Sequence, residues 1–76
     1  MEAIMATTRT ALLAKLSEIL EAQVTETTDL LSTSLWDSMS IVMVVAEIDS
    51  ICGREVDGVA ISKAKTVADL MALAGL

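Results

Sequence analysis

Leu12, Leu13, Leu16, Ile19 and Leu20 recur at spacings of three and four, one apolar stripe that predicts an amphipathic helix from about Ala3 or Thr8 to Glu21. The period then lapses. Ala22 to Asp37 is rich in Thr and Ser and reads as a long loop, with Leu30, Leu31 and Leu35 expected to pin it to the core. A second helix is predicted from Asp37 or Ser38 to near Cys52, with Asp37 as N-cap and Gly53 just beyond its end. Arg54 to Lys65 holds Val56, Val59 and Ile61 and reads as a loop with one short helical turn. Thr66-Val67-Ala68-Asp69 fits a capping box and opens a last helix whose Val67, Leu70, Met71 and Leu73 or Ala74 face inward. The expected fold is all-α: three long helices and a short extra turn, a small three-to-four-helix bundle with a long loop between its first and second helix.

The second helix carries more apolar surface than one buried stripe requires. Ile41, Val44, Val45, Ile48 and Cys52 lie on one side, and Met39, Val42, Met43 and Ala46 lie on a neighbouring side. A helix apolar around most of its circumference is either buried or part of a contact surface. A chain of 76 residues cannot wrap this helix on all sides, which favours an exposed docking face for the second stripe, whereas a methionine stripe is more often core; both readings stand at this point. Met43 is expected at the surface, and Met39 is expected to be partly shielded.

Composition narrows the chemistry. There is no His and one Cys, which leaves no disulfide, no ordinary zinc ligand set and no Ser-His or Cys-His pair. Cys52 falls on the core stripe and reads as a small buried hydrophobe. The lone cysteine fits a reducing compartment. The three glycines are dispersed, so no phosphate-cradling loop is present. The longest uncharged run in the middle of the chain, Ser38 to Ala46, is nine residues, too short to span a membrane. Met1-Glu2 is not a basic leader, so a cytoplasmic protein is expected, without membrane partners. Direct passage from Met1 into helix favours a discrete single domain, 1–76, over a domain excised from a synthase.

Charge adds a further constraint. Net charge is −6, which opposes nucleic acid as a partner. Between Lys15 and Arg54 stand seven acids, including Asp37, Glu47 and Asp49, and no base. Such a one-sign field either solubilises the surface or attracts basic partners.

Leu35-Trp36-Asp37-Ser38-Met39-Ser40 resembles the Asp-Ser-Leu signature of the acyl carrier protein family, in its Trp-Asp-Ser-Met variant. The context adds to the likeness: a leucine-rich first helix, a Thr/Ser loop with Asp29-Leu30-Leu31, then Asp-Ser opening an apolar helix. Ala46-Glu47-Ile48-Asp49 with Gly53 and Val56 is similar to that family's helix end, and Thr66-Val67-Ala68-Asp69-Leu70 to its last helix. The likeness covers about Leu12 to Leu73. It implies a non-enzymatic carrier, monomeric, with 4′-phosphopantetheine attached to Ser38 and Asp37 orienting the attachment. An acyl or aminoacyl group would ride on that arm as a thioester. The implied partners are a phosphopantetheinyl transferase, an acyl- or aminoacyl-activating ligase, and downstream transferases or synthases with basic patches. Met39, Val42, Met43, Glu47 and Asp49 would form the partner face. Typical relatives are more acidic along this helix, and Met43 stands where many carry glutamate, so recognition is expected to lean on apolar contact. Cys52 stands where many carry phenylalanine.

Two other readings compete. One is a helical interaction module without a prosthetic group, docking through Met39 and Met43. The other, a small hydrolase or isomerase, is opposed by the missing acid–base set.

Overall fold

The computed structural model describes residues 2–76, with side chains described from Thr7 onward. Among them the chain is helical throughout, in the order α1 (Glu2–Leu20), a 3₁₀ turn (Leu30–Ser32), α2 (Ser38–Cys52), α3 (Gly58–Ser62) and α4 (Val67–Leu73). The all-α bundle with its long loop between α1 and α2 is as expected. Its proportions are not: α1 and α2 are long, but α4 has only seven residues. Its length is limited at both ends. Thr66 and Asp69 form the expected capping box at the start. At the end Gly75 takes a left-handed conformation (φ 84°), and the Gly75 and Leu76 N–H groups donate to Ala72 O and Met71 O. This pair of bonds is a Schellman motif, which closes a helix.

The core is built from the stripes that periodicity drew. Leu12, Leu16 and Leu20 of α1 meet Val44 and Ile48 of α2, Ile61 of α3, and Val67, Leu70, Met71 and Ala74 of the α4 segment. Leu13, Ile19, Ile41, Val45, Cys52, Val56 and Leu73 are half-buried against it. With no aromatic residue but Trp36, the core is aliphatic and sulfur-containing, and Trp36 packs against its edge.

The long loop is ordered, though by a different means from the one its leucines suggested. Only Leu30 is buried; Leu31 and Leu35 are 67% and 37% exposed, so neither pins the loop. Val24 takes one of those places in the core. The loop is fastened instead by backbone bonds to the start of α4: Leu30 N–H donates to Lys65 O (2.8 Å), Val67 N–H to Thr28 O (3.1 Å) and Ala68 N–H to Glu26 O (2.8 Å). Glu26 also accepts from Arg9 of α1 at 2.6 Å, and Val24 N–H donates to Ser17 Oγ. These bonds satisfy loop backbone that would otherwise be stranded beside the core.

Two outcomes are expected from these ends. Helix α1 closes in the same way as α4, with Glu21 N–H donating to Glu18 O and Ala22 N–H to Ser17 O, but the left-handed residue (φ 52°) is Glu21. Glu21→Gly removes the side-chain penalty of that conformation and costs some unfolded-chain entropy, for a net gain of about 0.5 kcal/mol. Urea melts that show a loss would place the end of α1 elsewhere.

At the start of α4, Thr66 Oγ1 accepts from Asp69 N–H at 3.4 Å, whereas Asp69 Oδ2 accepts from Lys65 N–H at 2.9 Å and Thr66 N–H at 3.1 Å. The Lys65 and Thr66 backbone donors hold the Asp69 carboxyl below its ordinary value. A depressed folded-state value contributes stability above the unfolded value and loses it as pH falls through the folded one. Asp69→Asn is therefore expected to flatten the acid limb of stability below about pH 4, the unfolded aspartate range. Thr66→Ala should cost about 1 kcal/mol at pH 7. An unchanged acid limb in Asp69→Asn would remove the capping role.

Candidate functional site

The start of α2 is fixed by reciprocal hydrogen bonds. Asp37 is extended (φ −138°, ψ −174°) and its Oδ1 accepts from Ser40 N–H at 3.0 Å. Ser40 Oγ accepts from Asp37 N–H at 2.8 Å and donates to Asp37 O at 2.9 Å. Asp37 was expected as the N-cap; the return half through Ser40 was not, because a serine at the third helical position is a less familiar partner than Glu or Gln. Ser40 is buried, and among the described residues it is the one buried polar side chain. Trp36 before the cap and Ile41 after the first turn both lean on the core, the spacing of a hydrophobic staple.

Ser38 is the first residue of α2 and is exposed. No hydrogen bond within the described residues engages its hydroxyl, which is consistent with its neighbours Asp37 and Ser40 satisfying one another. The N–H groups of Ser38 and Met39 belong to the first turn and have no intrahelical acceptor. An anionic group esterified to this hydroxyl would meet those donors and the positive end of a 15-residue helix. The residues present therefore fit a phosphodiester. No basic side chain occurs from Leu16 to Gly53, so nothing in that stretch would pin its far end by charge.

Beside Ser38 the second stripe of α2 lies outside the core. Met39, Val42 and Met43 are 74%, 67% and 45% exposed. Met43 is at the surface as expected. Met39, expected to be partly shielded, is the more exposed of the two. With 3.6 residues per turn, Glu47 and Asp49 fall on opposite flanks of this stripe. Asp49 is exposed and Glu47 half-buried, so the two form a rim and not a cluster. Leu31 and Leu35, which the sequence assigned to the core, are exposed instead, and Leu35 lies beside Met39 and Met43. Val59 of α3 is a further exposed apolar residue, 58% accessible.

Cys52 is half-buried against the core, and burial pushes its thiol up from the ordinary range. It makes a poor nucleophile in that state. No group of three or more metal-ligating side chains occurs among the described residues, and none of their helices is long and apolar enough to cross a membrane. The module is thus a compact helical bundle in which the free Ser38 hydroxyl stands beside an exposed apolar face.

The two faces of α2 should separate cleanly on truncation. Met39→Ala and Met43→Ala are expected to change unfolding stability by no more than about 0.5 kcal/mol, as surface substitutions do. Ile48→Ala, at a fully buried position, should cost about 2–5 kcal/mol. Denaturant melts of the three variants check this, and a Met43→Ala loss as large as that of Ile48→Ala would reverse the assignment of the faces.

Compared with family models, with curated proteins and with solved structures, the chain matches none.

Proposed function

We propose that this protein is a carrier, which holds an acyl or aminoacyl group as a thioester on 4′-phosphopantetheine attached to Ser38. The observation that carries the reading is the Ser38 hydroxyl: exposed, free of hydrogen bonds and at the first position of α2. When bound, the arm supplies a terminal thiol for the thioester. The chain's own contribution is to hold the attachment point still. Asp37 and Ser40 lock the first turn, the Ser38 and Met39 N–H groups favour a negative charge there, and the flanking face of Met39, Val42 and Met43 offers apolar contact to a transferase, ligase or synthase. Glu47 and Asp49 at its edges, within a net charge of −6, would steer basic partners toward it.

The same exposed face favours a second reading, a helical interaction module without a prosthetic group. Mass separates the two. Incubated with coenzyme A and a broad-specificity phosphopantetheinyl transferase, the protein is expected to gain the mass of one phosphopantetheine, and Ser38→Ala none. Labelling at another residue, or none in the wild type, would sink the carrier reading. Asp37→Ala should slow the modification and cost about 1 kcal/mol of stability through the lost cap, without unfolding the chain. The association rate with the transferase should fall as salt rises from low to physiological strength, over which the screening length contracts to about 8 Å. A salt-independent rate would leave the acids as solubility groups.

A further inference from the structure

A groove of about 320 Å³ runs between the end of α1 and the start of α2. Ile19, Leu35, Met39 and Met43 give it an apolar floor. Its rim is of one sign: Glu18, Glu21 and Asp37, with no basic side chain among its lining residues. Farther along the same two helices a second hollow of about 340 Å³ shares Glu18, Ile19 and Met43 but includes Lys15, which lies 3.4 Å from Glu18. The two hollows therefore differ in charge. The one bounded by Asp37 and Met39, the residues on either side of Ser38, has carboxylates alone.

From this arrangement we propose, on the carrier reading, that the groove receives the tethered cargo and that the cargo is an aminoacyl group with an apolar side chain. The floor matches a branched or aliphatic side chain, and the rim matches the free α-ammonium. A plain acyl chain would lay methylenes against these carboxylates and strip their water without giving them a partner, which is unfavourable. An ammonium supplies that partner. Glu21 and Asp37 are in no ion pair among the described residues, so they are the carboxylates left for it; Glu18 is shared with Lys15. Ser38 itself does not line the groove, and the arm must cross Met39 to reach it. Phosphopantetheine is far longer than the helix diameter of about 10–12 Å, so it can do so.

The test uses arms that differ only in the ammonium. The transferase is given coenzyme A bearing leucyl or 4-methylpentanoyl in a stable amide linkage, and intact mass confirms the loading. In methyl NMR spectra the leucyl arm is expected to shift Ile19, Met39 and Met43. Its docked population should exceed that of the amine-free arm by about two- to five-fold, the worth of an exposed ion pair. Combining Glu18→Gln with Glu21→Gln should lower that ratio, leaving Asp37 as the one carboxylate of the groove, and added salt should reduce it further. Glu55→Gln, exposed and outside the groove, should leave it unchanged. Equal shifts from both arms would show apolar contact without selection and overturn the proposal, as would no shift from either. If no arm loads on Ser38, the carrier reading fails and takes this inference with it. An arm that loads but ignores the groove removes only the inference.

Discussion

The reciprocal bonding of Asp37 and Ser40 is the constraint on which the rest of the site depends. It sets where α2 begins and holds its first turn beside the exposed Ser38. With the helix starting at Ser38, Val44 and Ile48 turn into the core while Met39, Val42 and Met43 turn out. Because the cap is made by the residues on either side of Ser38, its hydroxyl is left over. A more usual serine cap would use its oxygen on the helix backbone. Here aspartate has that task and the serine behind it is free.

The loop before α2 shows how a segment can be ordered largely by backbone pairing, with Val24 and Leu30 as its buried side chains. Its backbone is paired with the start of α4 and its Glu26 with Arg9, so Leu31 and Leu35 need not enter the core. Both ends of that arrangement depend on capping. Asp69 organises the backbone of Lys65 and Thr66, and Lys65 O then receives Leu30 N–H. A local cap on the shortest terminal helix thereby holds in register the loop that leads to Ser38. Loss of that cap is expected to loosen the loop before it unfolds the bundle, since a segment with one buried leucine has little apolar contact of its own.

Much of this was legible in the residues. The periodicity of Leu12, Leu16 and Leu20 and of Val44 and Ile48 marks the core because a 3.6-residue period has one physical meaning on an amphipathic helix. Thr66 and Asp69 announced their cap by spacing. What could not be read were features set by tertiary pairing. Leu31 and Leu35 look like anchors by composition, yet backbone bonds made to residues far along the chain leave them outside. Glu21 gave no signal either, since a left-handed residue at a helix end is usually glycine and here it is not. Ser38 was legible as a candidate only through the motif around it; nothing in its own identity separates it from the other serines.

Exposed apolar surface is unavoidable in so small a chain, given that 54% of its residues are hydrophobic. Its location is less easily dismissed. Of the six large apolar side chains that stand exposed among the described residues, five (Leu31, Leu35, Met39, Val42 and Met43) fall within thirteen residues that contain Ser38. Packing need alone would scatter them. Each could return about 1.5–3 kcal/mol if wholly covered, so a partner that covers two or three gains enough for brief, reversible association. The wider stretch from Leu16 to Gly53, with seven acids and no base, opposes self-association of these faces while leaving them open to a basic partner. Apolar contact to bind and like charge to keep copies apart is the combination that the proposed carrier would need. It also explains how a sequence this hydrophobic can leave methionine in water at the start of its central helix.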